Sequence, residues 1–218
     1  MTREYHQGSY APPPGATDIL LVRHGRTEAA RPGQSFPLVE GHGDPALHPE
    51  GERQALAVGE RLRGEPLAAI YVTTLRRTHQ TAAPLAAHLG LTPIVERDLR
   101  EVHLGEWDGG EYRIRAAEGH PAFIRARERQ EWGEIPGAET TAALHARVRA
   151  GLMRIAAAHP DQRVVAVVHG GVVGAALALA SGAQPFAFNG VENGSISRIV
   201  ILGQTMVVRG FNDCAHLL

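Results

Sequence analysis

The sequence predicts an α/β fold, a three-layer α/β/α sandwich around a mostly parallel central sheet with an antiparallel edge and a small cap insertion. Three observations predict it. Two short, largely β-branched apolar runs, Leu20-Leu21-Val22 and Val164 to Val168, lead into Arg23-His24-Gly25 and His169-Gly170-Gly171. A run that is apolar at every position reads as a central strand buried on both faces. Between them, further apolar runs alternate with helical patterns, the order that builds parallel strands joined by helical crossovers. Finally, Ile196 to Leu202 and Met206 to Arg209 flank Gly203-Gln204, a hairpin-like turn that sets an antiparallel edge.

Taken in order, residues 1–16 with Pro12-Pro13-Pro14-Gly15 read as a flexible or extended tail, and residues 17–218 as one domain. The length of 218 residues at 44% hydrophobic content suits one full-sized core. Arg31 to His48 is rich in Gly and Pro and has no clear period; a structureless segment of this length is usually functional or mobile. Pro49 opens a helix to about Arg63, its ring tolerated in the first turn. Ala69 to Val72 is a strand, Leu75 to Leu89 a helix ended by Gly90, and Thr92 to Val95 a short strand. The charged, partly helical stretch from Gly109 to Glu131 reads as a cap over a crevice. Thr140 or Thr141 caps a helix to about Ala158, and a small-residue helix, Val172 to Leu179, follows the second His-Gly turn.

Composition excludes several classes. A net charge of −1 gives no basic field for nucleic acid, and no stretch approaches the ~18 apolar residues of a membrane span. The single cysteine, Cys214, excludes an internal disulfide and fits a reducing cytoplasm. Every basic residue in the Lys+Arg count is arginine, which excludes lysine Schiff-base chemistry and a P-loop. The 12 histidines include no H-E-x-x-H and no Cys/His pairing, so no metal site and no cofactor is expected.

At the carboxyl ends of such strands, open α/β sheets place their ligands, and a following glycine lets backbone N–H groups approach an anion. Two histidines and an arginine delivered there suggest a phosphate site. Neutral imidazole is a good nucleophile near pH 7, and attack on phosphorus splits one difficult displacement into two. Arginines neutralise phosphoryl oxygens with bidentate geometry, and Arg23 lies beside His24 for that task. A second pair, Arg76-Arg77, stands where a strand passes into a helix; neighbours there are about 100° apart, so one faces the crevice and the other water. Leu99 to Gly109 places Glu101, Glu106 and Asp108 near Trp107, which reads either as a proton donor in an apolar setting or as a loop closed over Trp107.

Four segments occur in a telling order: Arg23-His24-Gly25 with Thr27, Thr73 to Thr81, Leu99 to Gly109, and Val168 to Gly171. Together with Asp44-Pro45 and Pro136 to Thr140, this pattern resembles the histidine phosphatase (phosphoglycerate-mutase-like) superfamily over residues 17–218, in its phosphatase branch. The resemblance implies a metal-independent phosphomonoesterase, a histidine acid-type phosphatase acting on small phosphorylated metabolites through a phosphohistidine. It implies His24 as nucleophile, Arg23, Arg77 and His169 as the phosphate pocket with Thr27 and Gly170 binding substrate, and Glu101 as the acid that protonates the leaving group. Ala30 stands where many members carry an asparagine, and Val102-His103-Leu104-Gly105 replaces the R-H-Y-G of mutases. A phosphoglycerate mutase, a non-catalytic phosphate-binding scaffold and a homodimer stay open as alternatives; nucleic acid and membrane are not expected partners.

Overall fold

A computed structural model describes residues 4–218. The chain passes through β1 (Thr17–Arg23), a small hairpin of β2 (Leu38–Val39) and β3 (His42–Gly43), α1 (Pro49–Leu62), β4 (Leu67–Val72), α2 (Arg76–Leu89) and β5 (Ile94–Val95). It continues through α3 (Glu111–Ala117), α4 (Pro121–Arg129), α5 (Thr141–Ala158), β6 (Arg163–Val168), α6 (Gly170–Ser181), β7 (Ile196–Leu202) and β8 (Thr205–Asp213). The main sheet has the order β5-β4-β6-β1-β7-β8. The first four of these are parallel, β7 pairs antiparallel with β1, and β8 pairs antiparallel with β7.

Because successive strand residues point to opposite faces, β1 and β6 supply two cores. Leu20, Val22, Val165 and Val167 pack with Val58, Leu62 and Leu85 of α1 and α2. Ile19, Leu21, Val164 and Ala166 pack with Leu152, Ile155 and Leu177 of α5 and α6. Every one of these side chains is at most 6% exposed, so β1 and β6 are covered on both faces.

The structure differs from the sequence reading at several element ends. The segment 31–48 holds the β2–β3 hairpin, and Thr27 bridges to Leu47 at its end. Only Ile94 and Val95 of the expected strand pair with β4, since both are exposed edge residues with little to bury. Helix α6 begins at Gly170 instead of Val172, its first turn formed by two glycines under neighbouring side chains. β8 runs on to Asp213 through register shifts against β7 that residue propensities do not reveal. Of the two threonines before α5, Thr140 caps it, accepting from Ala143 N–H at 3.1 Å; Thr141 Oγ1 accepts from Trp132 N–H.

Of the tail, residues 1–3 lie outside the described residues. Tyr10 stacks on the Arg209 guanidinium at 3.4 Å, and Ala16 is buried. No helix among the described residues is long and apolar enough to cross a membrane.

Candidate active site

Adjacent parallel pairing of β1 and β6 sets Arg23 opposite Val168, so the residues after each strand, His24 and His169, emerge side by side. The His24 N–H donates to Val168 O at 2.9 Å, continuing the ladder one step beyond β1. A crevice of about 340 Å³ opens there, lined among others by Arg23, His24, Arg77, Glu101, Tyr112 and Gly170.

His24 is 5% exposed. Its Nδ1 lies 2.8 Å from Gly25 O, and a carbonyl only accepts, so Nδ1 carries the proton. Nε2 is therefore the lone-pair nitrogen, and it accepts from Arg77 Nε at 3.2 Å. Burial, then the charges of Arg77 and Arg23, hold the His24 pKa well below the ordinary histidine range. Gly25 plays a different part from the one expected: its N–H donates to Thr81 Oγ1 at 3.0 Å and is not free for an anion. A Cβ there would lie 2.4 Å from Gly51 O at the start of α1, so glycine is required for that close packing.

The arginine pair divides as helical geometry requires. Arg77 is buried, donating through NH1 to Gly43 O at 2.8 Å, and desolvation lowers its pKa to about 10. Arg76 turns outward and holds Asp44 through its backbone N–H (2.9 Å) and Nε (3.1 Å). Arg23 NH1 donates to Val191 O, and its buried Nε has no protein partner. Desolvation lowers its pKa against the opposing charges of Glu101 and Glu192.

His169 sits deeper than a crevice wall. It is fully buried, its ring 5.2 Å from that of His24, with Nε2 bonded to Thr73 Oγ1 at 3.0 Å and Nδ1 unpartnered. Burial and the charge of Arg77 hold it neutral, its pKa well below the ordinary range. Thr27 is buried, and its hydroxyl already accepts from Arg113 NH2 at 2.6 Å. Gly170 opens α6 beneath Arg23; a Cβ would lie 3.4 Å from Arg23 Nε.

Glu101 is held by the chain around it. Oε1 accepts from its neighbour Val102 N–H (3.0 Å) and from Gly171 N–H in the first turn of α6 (3.2 Å). Its carbonyl accepts from Arg147 NH2 at 2.8 Å and is 3.1 Å from His42 Nε2. Arg147 also donates to the carbonyls of Asp98 and Arg100 and pairs with Glu139, fastening this loop to α5. Composition could not reveal that fastening, since it links residues about fifty apart through tertiary contacts alone. The other two carboxylates of this segment are placed differently. Glu106 is exposed, and both oxygens of Asp108 are taken by the N–H groups of Gly43 and Leu104.

Two buried neutral histidines make stability depend on pH. Unfolded, both bind protons below about pH 6.5; folded, their depressed pKa values keep them neutral. Their contribution is complete above about pH 6.5 and is lost as pH falls toward the folded values, at up to about 1.4 kcal/mol per unit for each histidine. Urea midpoints at pH 7.5, 6.5 and 5.5 should fall between the last two; a flat profile contradicts neutral histidines.

The model of the histidine phosphatase superfamily (branch 1) matches residues 19–214. A metal-independent phosphoserine phosphatase of Arabidopsis thaliana is 30% identical over 204 residues, covering 92% of this chain and 83% of its own. A probable phosphoglycerate mutase of Yersinia enterocolitica is 30% identical over 218 residues, covering 91% and 94%. The solved structure of a mycobacterial glucosyl-3-phosphoglycerate phosphatase superposes with a TM-score of 0.75 at 28% identity, covering 90% of this chain and 99% of that one. The matched span contains His24, Arg77, Glu101 and His169 together with the strands that present them, and the chain belongs to the histidine phosphatase superfamily.

Proposed function

We propose that the protein is a metal-independent phosphomonoester hydrolase acting on small phosphorylated metabolites through a phosphohistidine. The observation that carries this reading is the His24 tautomer: a buried imidazole with its lone pair at Nε2, beside Arg77, in the crevice that Glu101 also lines. Nε2 attacks phosphorus while the bond to the leaving oxygen breaks and Glu101 gives that oxygen a proton. Water then attacks the phosphohistidine, Glu101 takes its proton, the P–N bond breaks and Nε2 regains its electron pair. Positive charge for the phosphoryl oxygens comes from Arg23 and Arg77. The unpartnered Nδ1 of His169 supports a further contact to the same group. Oε1 of Glu101 is occupied by backbone N–H groups, which leaves Oε2 to carry the proton.

Activity on the acid side of neutrality fits this site, because His24 stays an unprotonated nucleophile well below pH 6.5. The relatives act, by their names, on phosphoserine and glucosyl-3-phosphoglycerate, and a phosphorylated metabolite of that size suits the crevice. A free thiol at Cys214 suits a cytoplasmic setting.

Glu101→Gln tests the reading. An alkoxide leaves poorly without a proton, whereas p-nitrophenolate leaves unaided. The variant should therefore lose about 10²–10⁴-fold in the phosphorylation rate with glycerol phosphate and much less with p-nitrophenyl phosphate. Pre-steady-state bursts isolate that step. Equal losses on both substrates place the acid elsewhere. Likeness to a probable mutase supports a second reading; phosphate release without any sugar-acid acceptor decides for hydrolysis.

A further inference from the structure

A second crevice reaches Arg23 and His24 from the other side. It is lined also by Arg26, Thr27, Ala30 and Asn193, and Arg113 of α3 borders both crevices. Arg113 is an exposed residue whose guanidinium is nevertheless fixed on several sides. NH2 donates to Thr27 Oγ1 at 2.6 Å, NH1 to Glu28 O at 2.7 Å, and the Phe36 ring centroid lies 5.6 Å away. Helix α3 seats closely here: a Cβ on Gly110, whose φ is 110°, would lie 3.2 Å from Ala30 Cβ and 3.0 Å from the Phe36 ring.

The charges around Arg113 favour an anion. The acids on either side of Arg113 in sequence, Glu111 and Glu118, turn to Arg115 at 2.6 and 3.8 Å. Among the described residues neither Arg113 nor Arg23 forms an ion pair, although they share a crevice. Desolvation, then the positive charge of Arg23, lowers the Arg113 pKa. Glu101 lines the same crevice and opposes their charge, but it pairs with neither arginine, and two unpaired guanidinium groups at one crevice suit a multiply charged anion between them. Of the five N–H donors of Arg113, two are used, so three remain to meet one.

We propose that Arg113 binds the non-bridging oxygens of the phosphoryl group, opposite Arg77, with Thr27 and Glu28 O as the parts that aim it. This assignment rests on the phosphatase reading and gives α3 a direct share in the site. It also gives the Thr27 hydroxyl a use, since that oxygen is engaged by Arg113 and not turned to substrate. Arg113 borders both crevices together with Arg23 and His24, whereas Glu101 lines only the first, which groups Arg113 with the phosphoryl-binding residues and sets the leaving group on the Glu101 side.

The test compares wild type with Arg113→Gln and Arg113→Lys, and with Arg115→Gln as a control on the same helix. Calorimetric titration with inorganic phosphate and kcat/KM for p-nitrophenyl phosphate are read alongside Tm. Neither ligand carries a second anionic group. Arg113→Gln should weaken phosphate binding about 10- to 100-fold and lower kcat/KM in parallel, with Arg113→Lys intermediate and Arg115→Gln unchanged. The lysine variant keeps the charge and stem, so a folding defect in the glutamine variant does not hide the result. Phosphate affinity within about 2-fold of wild type in both variants overturns the proposal, including the case where only substrates with a second anion suffer. If wild type binds phosphate but never hydrolyses the ester, the phosphatase reading fails while the phosphate comparison still decides the role of Arg113.

Discussion

His24→Ala is expected to abolish turnover and, with it, the covalent intermediate. Rapid quenching of wild type with substrate should trap an acid-labile, base-stable phosphoryl group on His24. Loss of a covalent nucleophile removes the two-step route altogether, and the expected fall in kcat is at least about 10⁴-fold. The fold should survive, because the side chain sits past the end of β1 facing a crevice, and the ladder bond to Val168 O is made by its backbone. A label on His169, or appreciable turnover by the variant, contradicts the assignment. His169 is a poor alternative nucleophile, since it is fully buried beside the His24 ring with Nε2 bound to Thr73.

Arg77→Ala carries the second largest expected effect. Its guanidinium donates to the attacking nitrogen before substrate arrives and is aimed by Gly43 O, the kind of preorganised donor whose loss costs about 10²–10³-fold in kcat. Arg76→Ala, which removes only a half-exposed pair with Asp44, should cost less than ~1 kcal/mol. The sign of a further change follows from the same charge. Arg77 lowers the His24 pKa, so its removal raises that pKa and moves the acid limb of kcat/KM to higher pH. Arg77→Lys should restore the limb better than the rate, because lysine keeps the charge and lacks the planar fork. Equal losses at the two arginines, or an unmoved acid limb, contradict this account.

The parts of the molecule that sequence makes legible are those where one local pattern answers one physical demand. The β1 and β6 runs are apolar at every position because both faces are covered, and that demand alone marks them as central. The choice between Arg76 and Arg77 needed the family pattern, since periodicity says only that the two diverge. Features that depend on distant partners stayed hidden. Nothing local distinguishes Arg113 from Arg115 two residues on, and what separates them is Thr27, 86 residues away in the chain. The β2–β3 hairpin has two residues per strand and no alternation to read. The glycines of the second His-Gly turn looked like a loop before the helix. They begin α6, and a Cβ on Gly171 would lie 2.5 Å from Val102 Cγ2 and 2.7 Å from Glu101 Oε1, so glycine lets the helix start close against the carboxylate it holds.

The sheet order has a consequence for how the molecule is made. β1 is the first strand of the chain, yet it pairs only with β6 and β7, which begin at Arg163 and Ile196. During synthesis β1 leaves the ribosome with both hydrogen-bonding edges bare and waits while α1 through α5 are added. Such a strand, apolar from Ile19 to Val22, is a template for pairing with another copy until its own neighbours arrive. A nascent chain stopped before Arg163 holds neither neighbour and lacks His169. Truncated products should therefore aggregate and be inactive, however well their helices form.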